Sequence, residues 1–307
     1  MGQKKNSTIF SLNAKNSEWK SKYIEKNLEE SSILLYQNLT IWTYLNENFK
    51  RSGLILYNWK IEYTENSVNF FLFFFEKESE TRKYYKQNLK QLRKNKPNQF
   101  SAHQFLNCPG LINSFFNNIL SRDLNLYVKH KTINIKFQNL NKKFEVFIQN
   151  NPIYLKEFQK LTRPLRRSLK NPNFKELIKI LYCSVIEKDS AKLIAESIAN
   201  YFRKNKKRHG FILSFLKKVL TKLVNAKFSK IQGIKIVISG RFNGAQRSNK
   251  KIIQTGSVPL QSFNSLVSYY EDIAYTSNGT FGIKVWMCSR EKVSIFNYVF
   301  TTKKIKI

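Results

Sequence analysis

A loop rich in glycine and arginine is the part of this sequence best suited to bind an anion. It ends the segment GIKIVISGRFNGAQR at residues 233–247, in which apolar residues alternate before the loop begins. Small residues at Gly240, Gly244 and Ala245 would let a phosphate chain approach the backbone closely. Arg241 and Arg247 add forked donors that suit phosphate oxygens. The segment predicts a phosphate-binding loop after a β-strand, although a plain hairpin turn is the simpler interpretation if the loop is taken alone.

The overall charge indicates the same kind of partner. The sequence has 54 Lys and Arg residues against 20 Asp and Glu residues, which gives a net charge of +34 in 307 residues and a pI near 10.0. Such an excess makes a compact protein repel itself and is usually neutralised by a polyanion. Phosphate backbone is the default partner, and an anionic membrane surface is the alternative. A solvated face explains any single lysine cluster, but it does not explain the excess over the whole chain.

The residues predicted to contact RNA lie at the N-terminus, in a basic cluster, on a helix, and in the Gly–Arg loop with the strand after it. They are Lys4, Lys5, Lys206, Lys207, Arg208, Lys217, Lys218, Arg241, Asn243, Gly244, Arg247, Lys250 and Lys251. No cofactor is expected.

No catalytic or metal-binding constellation is recognisable in the sequence. The three cysteines are far apart and lack C-x-x-C spacing, which argues against a zinc site and a disulfide framework. The three histidines have no matching acidic or cysteine cluster. These residues are Cys108, Cys183, Cys288, His103, His130 and His209. We therefore expect a protein that is not an enzyme, with its cysteines as buried thiols in a reducing compartment.

The apolar segments are too short to cross a membrane. The longest run, Val68 to Phe75, is interrupted by Asn69 and falls far short of the roughly 20 residues that a span needs. The N-terminus resembles neither a signal peptide nor a myristoylation signal, since Asn6 stands where that signal has Ser or Thr. A soluble protein without export or lipid anchoring is expected.

The first part of the chain predicts a helix followed by a β-hairpin. Apolar spacing favours a helix from Ser31 to Phe49, ended by Gly53. Leu54–Tyr63 and Ser67–Phe75 are typical of paired strands. The aromatic residues of the second strand are expected to pack in a core rather than to stack on bases, because alternate residues face the same side.

Regular patterning returns at Asp189, a predicted N-cap for a helix with its apolar residues on one face. A second amphipathic helix is predicted from Phe211 to Ala226. Four strands are predicted after it, at Gly233–Arg241, Lys251–Val258, Leu266–Tyr275 and Gly282–Cys288. Helices followed by antiparallel strands predict an α+β fold.

The patterns divide the chain into four regions. Residues 1–20 are a basic arm, residues 21–95 a first domain, residues 96–188 an insertion of unclear structure, and residues 189–307 the α+β domain. Possible return strands within the insertion are Ile133–Phe137 and Phe144–Ile148.

Several motifs occur in the order and spacing of one family. They are GIKIVISGRFNGA, GSVPL at Gly256–Leu260, FGIKVW at Phe281–Trp286, the upstream helix SAKLIAESIANYF, and the opening MGQKKN. Together they resemble the small-subunit ribosomal protein S-three family. The resemblance is strong over about Asp189 to Ser289, weak over Met1 to about Phe75, and nearly absent between them.

This resemblance implies a structural constituent of the ribosome that supports translation. It implies a KH-like N-terminal domain and a C-terminal domain packed on ribosomal RNA in the head of the small subunit, near the channel through which mRNA enters. The implied partners are small-subunit ribosomal RNA, mRNA and neighbouring head proteins, with no membrane.

Two departures from the family pattern bear on function. The G-x-x-G loop of KH domains, which clamps nucleotides, should follow Ser67–Phe75, where the chain reads EKESETRKYYK without glycine. The N-terminal domain is therefore predicted to be a degenerate KH-like fold. The family's Arg pair on the helix facing mRNA is replaced by Leu213 and Ser214, whereas Lys217 and Lys218 match.

The unmatched middle, the composition rich in Asn, Ile and Lys, and the missing G-x-x-G loop favour a mitochondrial form. No cleavable presequence is expected before the family-like start, which suits a gene carried in the organelle. Two other functions stay open at this point. One is an organellar nucleic-acid enzyme, such as an intron-encoded endonuclease or maturase, and the other is a basic membrane-surface protein.

Overall fold

The computed structural model describes residues 6–8, 19–77, 120, 122–128, 132–151, 172–187, 190–205, 209–226, 228–262 and 265–290. The chain divides into two compact units. One unit contains residues 19–184, and the other contains residues 185–307 together with residues 1–18. The predictions for Lys4, Lys5, Lys206, Lys207, Arg208, Cys108 and Asp189 lie outside the described residues.

The first unit is built on a four-stranded mixed sheet. In chain order it contains β1 (Ser21–Lys22), α1 (Glu30–Arg51), β2 (Leu54–Tyr63), β3 (Ser67–Glu76), a helical segment at 122–127, β4 (Thr132–Asn139), α2 (Leu140–Asn150) and α3 (Pro172–Ile186). The strand order is β1-β2-β3-β4, in which β2 and β3 are antiparallel and both outer pairs are parallel. The predicted helix and hairpin are therefore confirmed.

The core of this unit lies between α1 and the sheet. Ile41, Leu45 and Phe49 form the buried stripe of α1, with the spacing of one helical face. Alternate residues of β3, among them Phe70 and Phe74, pack against this stripe. The expectation that the aromatic residues of β3 serve packing is confirmed for these positions.

The segment predicted as an insertion supplies part of the first unit. Ile133–Phe137 lies in β4, which pairs in parallel with β3, so this unit extends beyond residue 95. The possible strand at Phe144–Ile148 is wrong, because these residues lie in α2. Asn139 begins that helix, since its side chain accepts a hydrogen bond from the backbone N–H of Asn141.

The second unit is a two-layer α+β structure, as the sequence predicts. It contains α4 (Ala191–Lys204), α5 (His209–Val224), β5 (Ile231–Gly240), a 3₁₀ turn (Phe242–Gly244), β6 (Asn249–Gly256), β7 (Val267–Thr276) and β8 (Gly279–Ser289). The antiparallel sheet has the order β6-β5-β8-β7. Both helices pack on the sheet, α4 against β7 and β8 and α5 against β5 and β6.

Part of the predicted N-terminal arm lies against this sheet. The hydroxyl of Thr8 accepts a hydrogen bond from the backbone N–H of Tyr269 at 3.2 Å. Because β7 is an edge strand, this contact satisfies a donor that the sheet leaves unpaired.

Cys183 and Cys288 are buried free thiols, as expected. None of the described helices is long and apolar enough to span a membrane.

A buried ion pair links two turns of α4 beneath the sheet. The ammonium of Lys192 lies 3.7 Å from a carboxylate oxygen of Glu196, and both side chains are less than a tenth exposed. The same ammonium lies 5.7 Å from the ring centre of Tyr270 on β7. Burial, and then the Glu196 carboxylate, raise the pKa of the Tyr270 hydroxyl. The pair therefore joins α4 to an edge strand.

Removing one partner of this pair should lower the free energy of unfolding, whereas replacing both partners with apolar residues should lower it much less. We expect Glu196→Ala to lower the free energy of unfolding by about 3–5 kcal/mol, because the Lys192 ammonium loses its buried counter-charge. The double change Lys192→Met with Glu196→Leu should restore most of that loss. Urea unfolding of the full chain measures both. Glu47→Ala, which removes the exposed pair with Arg51, is the control and should cost no more than about 1 kcal/mol. An equal loss in the single and double variants would contradict the prediction.

Candidate nucleic-acid interface

The Gly–Arg loop is a tight turn that leaves most of its residues in solvent. After β5 the chain makes one 3₁₀ turn in which Asn243 has φ 55° and Gly244 has φ 80°. Left-handed φ values favour Gly and, among other residues, Asn. The N–H of Ala245 closes the turn on the carbonyl of Phe242 at 3.1 Å. Asn243, Gly244 and Arg247, all predicted site residues, are exposed here.

His209, the first residue of α5, holds this turn in place. The N–H of His209 donates to the side-chain oxygen of Asn243, and the N–H of Asn243 donates to Nδ1 of His209, both at 3.0 Å. Nε2 of the ring lies 3.0 Å from the carbonyl oxygen of Asn205. A carbonyl accepts and an N–H donates, so these partners fit one neutral ring with its proton on Nε2. The loop is thus tied to the start of α5.

Aromatic rings enclose the buried imidazole. The ring centre of His209 lies 5.0 Å from that of Phe202 and 5.2 Å from that of Phe281. Phe242 in the turn adds a third aromatic contact at 6.1 Å. Residues from α4, α5, the loop and β8 therefore meet at one junction, which fixes where the loop emerges.

Gly240 serves this junction rather than the approach of phosphate. A Cβ atom at this buried position would lie 2.3 Å from the ring of Phe281, far inside contact distance. The sequence-based interpretation of Gly240 as a phosphate-approach residue is therefore wrong. For Gly244 and Ala245, which are exposed, it stays a prediction.

The sequence on both sides of the loop has many cations and no acidic residue. Between Glu196 and Glu271 the sequence has fifteen Lys and Arg residues and no Asp or Glu. One of these fifteen, Arg203, is paired with Asp272 beyond the stretch at 3.7 Å, and outside it Lys284 is paired with Glu271 at 3.3 Å. A hydrogen bond from Tyr269, and then Lys284, hold the pKa of Glu271 below its usual value, so this carboxylate stays charged and keeps Lys284 engaged.

Most predicted contact residues in this acid-free stretch are available to a ligand. Five of the predicted residues have exposed side chains that form no ion pair or hydrogen bond with the described part of the chain: Lys217, Lys218, Arg247, Lys250 and Lys251. Arg241 differs, because its Nε donates to the carbonyl of Ala245 at 2.7 Å. That bond makes Arg241 part of the scaffold of the loop, while its terminal nitrogens remain on an exposed side chain.

The two lysines of β6 point to opposite faces of the sheet. Lys251 pairs with the buried Ile238 and therefore leaves the strand on the side covered by helices, whereas Lys250 pairs with Ser239 on the open side. Lys251 thus shares its face with α5, which packs on β6 and presents Lys217 and Lys218 to solvent. The structure separates Lys250 from this group.

Two residues at the start of α5 replace the arginine pair of the family pattern. Ser214 is exposed and its hydroxyl donates to the carbonyl of Phe211, while Leu213 is half-buried.

The described residues contain no group of three or more His, Cys, Asp or Glu side chains placed to hold a metal ion.

Sequence reasoning missed His209 as a functional residue. It was considered only as a metal ligand or a base, and its partner Asn243 lies 34 positions away. A left-handed Asn before a Gly in a turn is the local signal for the loop conformation, but no local signal links that turn to the start of a helix.

Comparisons with known proteins agree with the motifs in the second unit. Residues 213–287 match the family described as ribosomal protein S3, C-terminal domain. The chain is 34% identical over 140 residues to small ribosomal subunit protein uS3c of Mesostigma viride, an alignment covering 46% of this chain and 62% of the relative. It is 32% identical over 134 residues to uS3c of Gracilaria tenuistipitata var. liui, covering 43% and 57%. Small ribosomal subunit protein uS3 of Thermotoga petrophila is 34% identical over 97 residues, covering 32% and 43%. The chain thus spans less than two thirds of the length of these relatives.

Removing the ring nitrogens of His209 should release the loop while keeping the aromatic packing. We expect His209→Phe to speed amide hydrogen exchange at Asn243 by roughly 5- to 10-fold, the equivalent of one hydrogen bond of about 1 kcal/mol. Ser214→Ala, on the exposed side of the same helix, should leave that exchange rate unchanged. Unaltered exchange at Asn243 in His209→Phe would show that the imidazole does not hold the loop.

The two glycines flanking this junction should respond differently to an added methyl group. Gly240→Ala should destabilise the second unit by about 1–3 kcal/mol, because Phe281 has to move. Gly210→Ala should be neutral or slightly stabilising, because a Cβ there meets nothing within 4 Å. Thermal unfolding compares the two variants, and equal midpoints would rule out the packing role of Gly240.

Proposed function

Residues 213–287 belong to the C-terminal domain of the ribosomal protein S3 family, and from this premise we propose that the chain is a structural constituent of the small ribosomal subunit that binds ribosomal RNA. The observation that carries the proposal is the acid-free stretch around the Gly–Arg loop, where the exposed side chains of Lys217, Lys218, Arg247, Lys250 and Lys251 form no ion pair with the described part of the chain. Each cation that neutralises a phosphate releases a counterion, so such a surface binds nucleic-acid backbone without reading its sequence.

The second unit supplies two parts of this RNA surface. Lys217, Lys218 and Lys251 lie on the helix-covered side of the sheet, and Arg247 stands in the anchored loop. Fixed positions favour binding, because less side-chain and loop freedom is lost when the RNA docks. Lys4, Lys5 and the cluster Lys206–Arg208 are proposed to extend the same surface.

The location within the subunit follows from the family resemblance. We place the second unit in the head near the channel through which mRNA enters, with Lys217 and Lys218 on the helix that faces mRNA. Leu213 and Ser214 replace an arginine pair there, so this helix offers fewer cations to mRNA than the family pattern does.

The first unit is proposed to be a degenerate KH-like domain. Its order of helix, two antiparallel strands and a later strand parallel to β3 supports this proposal. The G-x-x-G loop is missing from the sequence after β3. The domain therefore contributes architecture to the protein rather than a nucleotide clamp.

An organellar ribosome is the proposed location of the protein. The uS3c relatives are organellar proteins and support an organelle ribosome. The assignment to mitochondria rests on composition and on the unmatched middle of the chain.

Two adjacent lysine pairs allow a charge-matched test of the RNA surface. Lys217→Glu with Lys218→Glu should weaken binding to small-subunit ribosomal RNA and reduce the slope of log affinity against log salt by about 0.7–0.9 per lost phosphate contact. Lys142→Glu with Lys143→Glu makes the same charge change at two exposed residues of α2 in the first unit. In this control variant, the affinity for ribosomal RNA and the slope of log affinity against log salt should stay close to those of the unaltered chain.

Gradient sedimentation then tests assembly. The variant at 217 and 218 should move from small-subunit fractions to the top of the gradient as salt rises, at concentrations where the control stays bound. Equal loss in both variants would show that bulk charge alone drives binding, and absence of the unaltered chain from small subunits would overturn the proposed function.

A further inference from the structure

The antiparallel sheet of the second unit has one face that α4 and α5 leave open. Both helices lie against the other face, where Phe202 of α4 and His209 of α5 contact Phe281. Because side chains alternate along a strand, the residues between those of the helical side point to the open face. The open face is therefore a different surface from the helix-covered side, which presents Lys217 and Lys218.

Part of the open face is occupied by contacts among its own side chains. The ring centres of Tyr269 and Trp286 lie 5.1 Å apart, and the ammonium of Lys235 lies 5.8 Å from the ring of Trp286. In the next row of the sheet, Lys284 pairs with Glu271 at 3.3 Å. These side chains already have partners, so this part of the face offers few groups to a ligand.

The other end of the open face carries a tyrosine without a partner. Tyr275 is 70% exposed and forms no hydrogen bond or ring contact with the described residues. It lies opposite Thr280 of β8, next to the turn that joins β7 to β8. Ile273 is on the same face, two residues earlier, and is 48% exposed. An exposed ring beside an exposed aliphatic side chain gives a planar group a surface to stack on.

Small residues form a low floor beside this tyrosine. Ile273 is opposite Gly282 of β8, and Gly282 is opposite Ser239 of β5. A Cβ atom at Gly282 would lie 3.1 Å from Oγ of Ser239, so glycine keeps this row of the sheet low. Lys250 pairs with Ser239 and ends the row at the edge strand β6. The row thus runs from an apolar side chain, across a nearly bare stretch of sheet, to an exposed cation.

Arg241 places a second cation beside the floor. Its Cδ atom lies 3.6 Å from the position that a Cβ atom of Gly279 would take, so the stem of the side chain lies near the start of β8. Gly279 precedes Thr280, the partner of Tyr275. The backbones of β5 and β7 are separated by two strand spacings, roughly 10 Å. Arg241 and Tyr275 therefore flank a space suited to a base and its phosphate.

The backbone at this end of the sheet is held in place by side chains. Arg203 of α4 donates to the carbonyl of Ile273 at 2.6 Å and pairs with Asp272 at 3.7 Å. The hydroxyl of Thr276 donates to the carbonyl of Gly279 at 2.6 Å across the hairpin turn. A surface fixed in this way loses little freedom when a ligand docks.

We propose that this end of the open face binds an unpaired nucleotide of RNA, with its base stacked on Tyr275 and its flanking phosphates at Arg241 and Lys250. The residues of this open-face site are Ser239, Arg241, Lys250, Ile273, Tyr275 and Gly282. Unpaired bases stack on aromatic side chains, whereas the bases of an RNA duplex are stacked on one another. The site has two cations and no acidic side chain, which favours a nucleotide over a protein segment. The proposal rests on the proposed function for the source of the RNA.

Binding of tetrauridine by the full chain tests the stacking contact. A tetramer of abasic ribose phosphates has the same backbone without bases and is the reference ligand. The unaltered chain should bind tetrauridine roughly 5-fold or more tightly than the abasic tetramer, which is the contribution expected of one stacked base. Equal affinity for the two ligands would overturn the proposal.

Substitutions of tyrosine assign that preference to the site. Tyr275→Leu should reduce the preference for tetrauridine to less than about 2-fold, whereas Tyr275→Phe should keep it, because the ring remains. Tyr36→Leu changes a tyrosine of similar exposure on α1 and is the matched control. The salt dependence should be the same in all three variants, since none loses a phosphate contact. Loss of the preference in the control as well, or its retention in Tyr275→Leu, would overturn the site.

Lys250 is tested through the salt dependence of the same reaction. Lys250→Gln should reduce the slope of log affinity against log salt for tetrauridine by about 0.7, the value for one phosphate contact in a single strand. Lys142→Gln, at an exposed position of α2, is the control and should leave the slope unchanged. Equal slopes in the two variants would rule out the phosphate contact at Lys250.

Photo-crosslinking in purified small subunits identifies the occupant. Azidophenylalanine replacing Tyr275 should crosslink to ribosomal RNA, at a nucleotide that reverse transcription maps to an unpaired position. A crosslink only to protein, a crosslink only to paired nucleotides, or no crosslink would each overturn the proposal.

These experiments separate the open-face site from the proposed function. If the chain does not sediment with small subunits, the proposed function fails, and the comparison of tetrauridine with the abasic tetramer still decides whether the site stacks a base. If the chain sediments with them and Tyr275→Leu keeps the preference for tetrauridine, only the open-face site fails.

Discussion

The packing of Phe281 over Gly240 and His209 is the contact on which the second unit depends. Phe281 stacks on Phe202 at 4.9 Å between ring centres, so β8 is joined to α4 at the same point where β5 ends and α5 begins. Only glycine leaves room for that ring at position 240. Because His209 lies in this junction and bonds to Asn243, the hydrophobic core sets the conformation of an exposed loop.

This arrangement explains how a domain with so much positive charge keeps a defined surface. Exposed cations such as Lys217, Lys218 and Arg247 repel one another, and they form no ion pair with the described residues. The buried apolar face of α5 and the alternating isoleucines of β5 fix the backbone positions of these cations. The positions of these cations are therefore a consequence of packing, and phosphate is the counter-charge that we propose for them.

Residues 19–77 of the first unit carry no net charge, whereas the second unit is strongly basic, and this difference gives the protein two kinds of surface. The α1 helix buries one apolar stripe in its own core and exposes a second one to solvent. Its neighbourhood carries as much negative as positive charge. The chain thus combines a basic surface in the second unit with an exposed apolar face on α1.

Periodicity in the sequence was sufficient for most of the elements, and the ordered motifs carried the resemblance to the family. Alternating apolar residues predicted β2, β3 and the four strands of the second unit, and helical spacing predicted α1, α4 and α5. Each of these elements buries one face, so its apolar residues recur with the period of a strand or a helix. The segment at 144–148 failed because its few apolar residues fit either period and a capping Asn decided for the helix. Composition alone predicted a polyanionic partner.

Only the tertiary structure decided which residues make up the site. It assigned Gly240 to the core, made Arg241 part of the loop scaffold, separated Lys250 from Lys251, and brought His209 to Asn243 across 34 positions. Such contacts depend on how helices pack on a sheet. The spacing of residues along the chain does not predict that packing. The sequence determined the chemistry that the protein offers, and the packing of distant segments decided where that chemistry is presented.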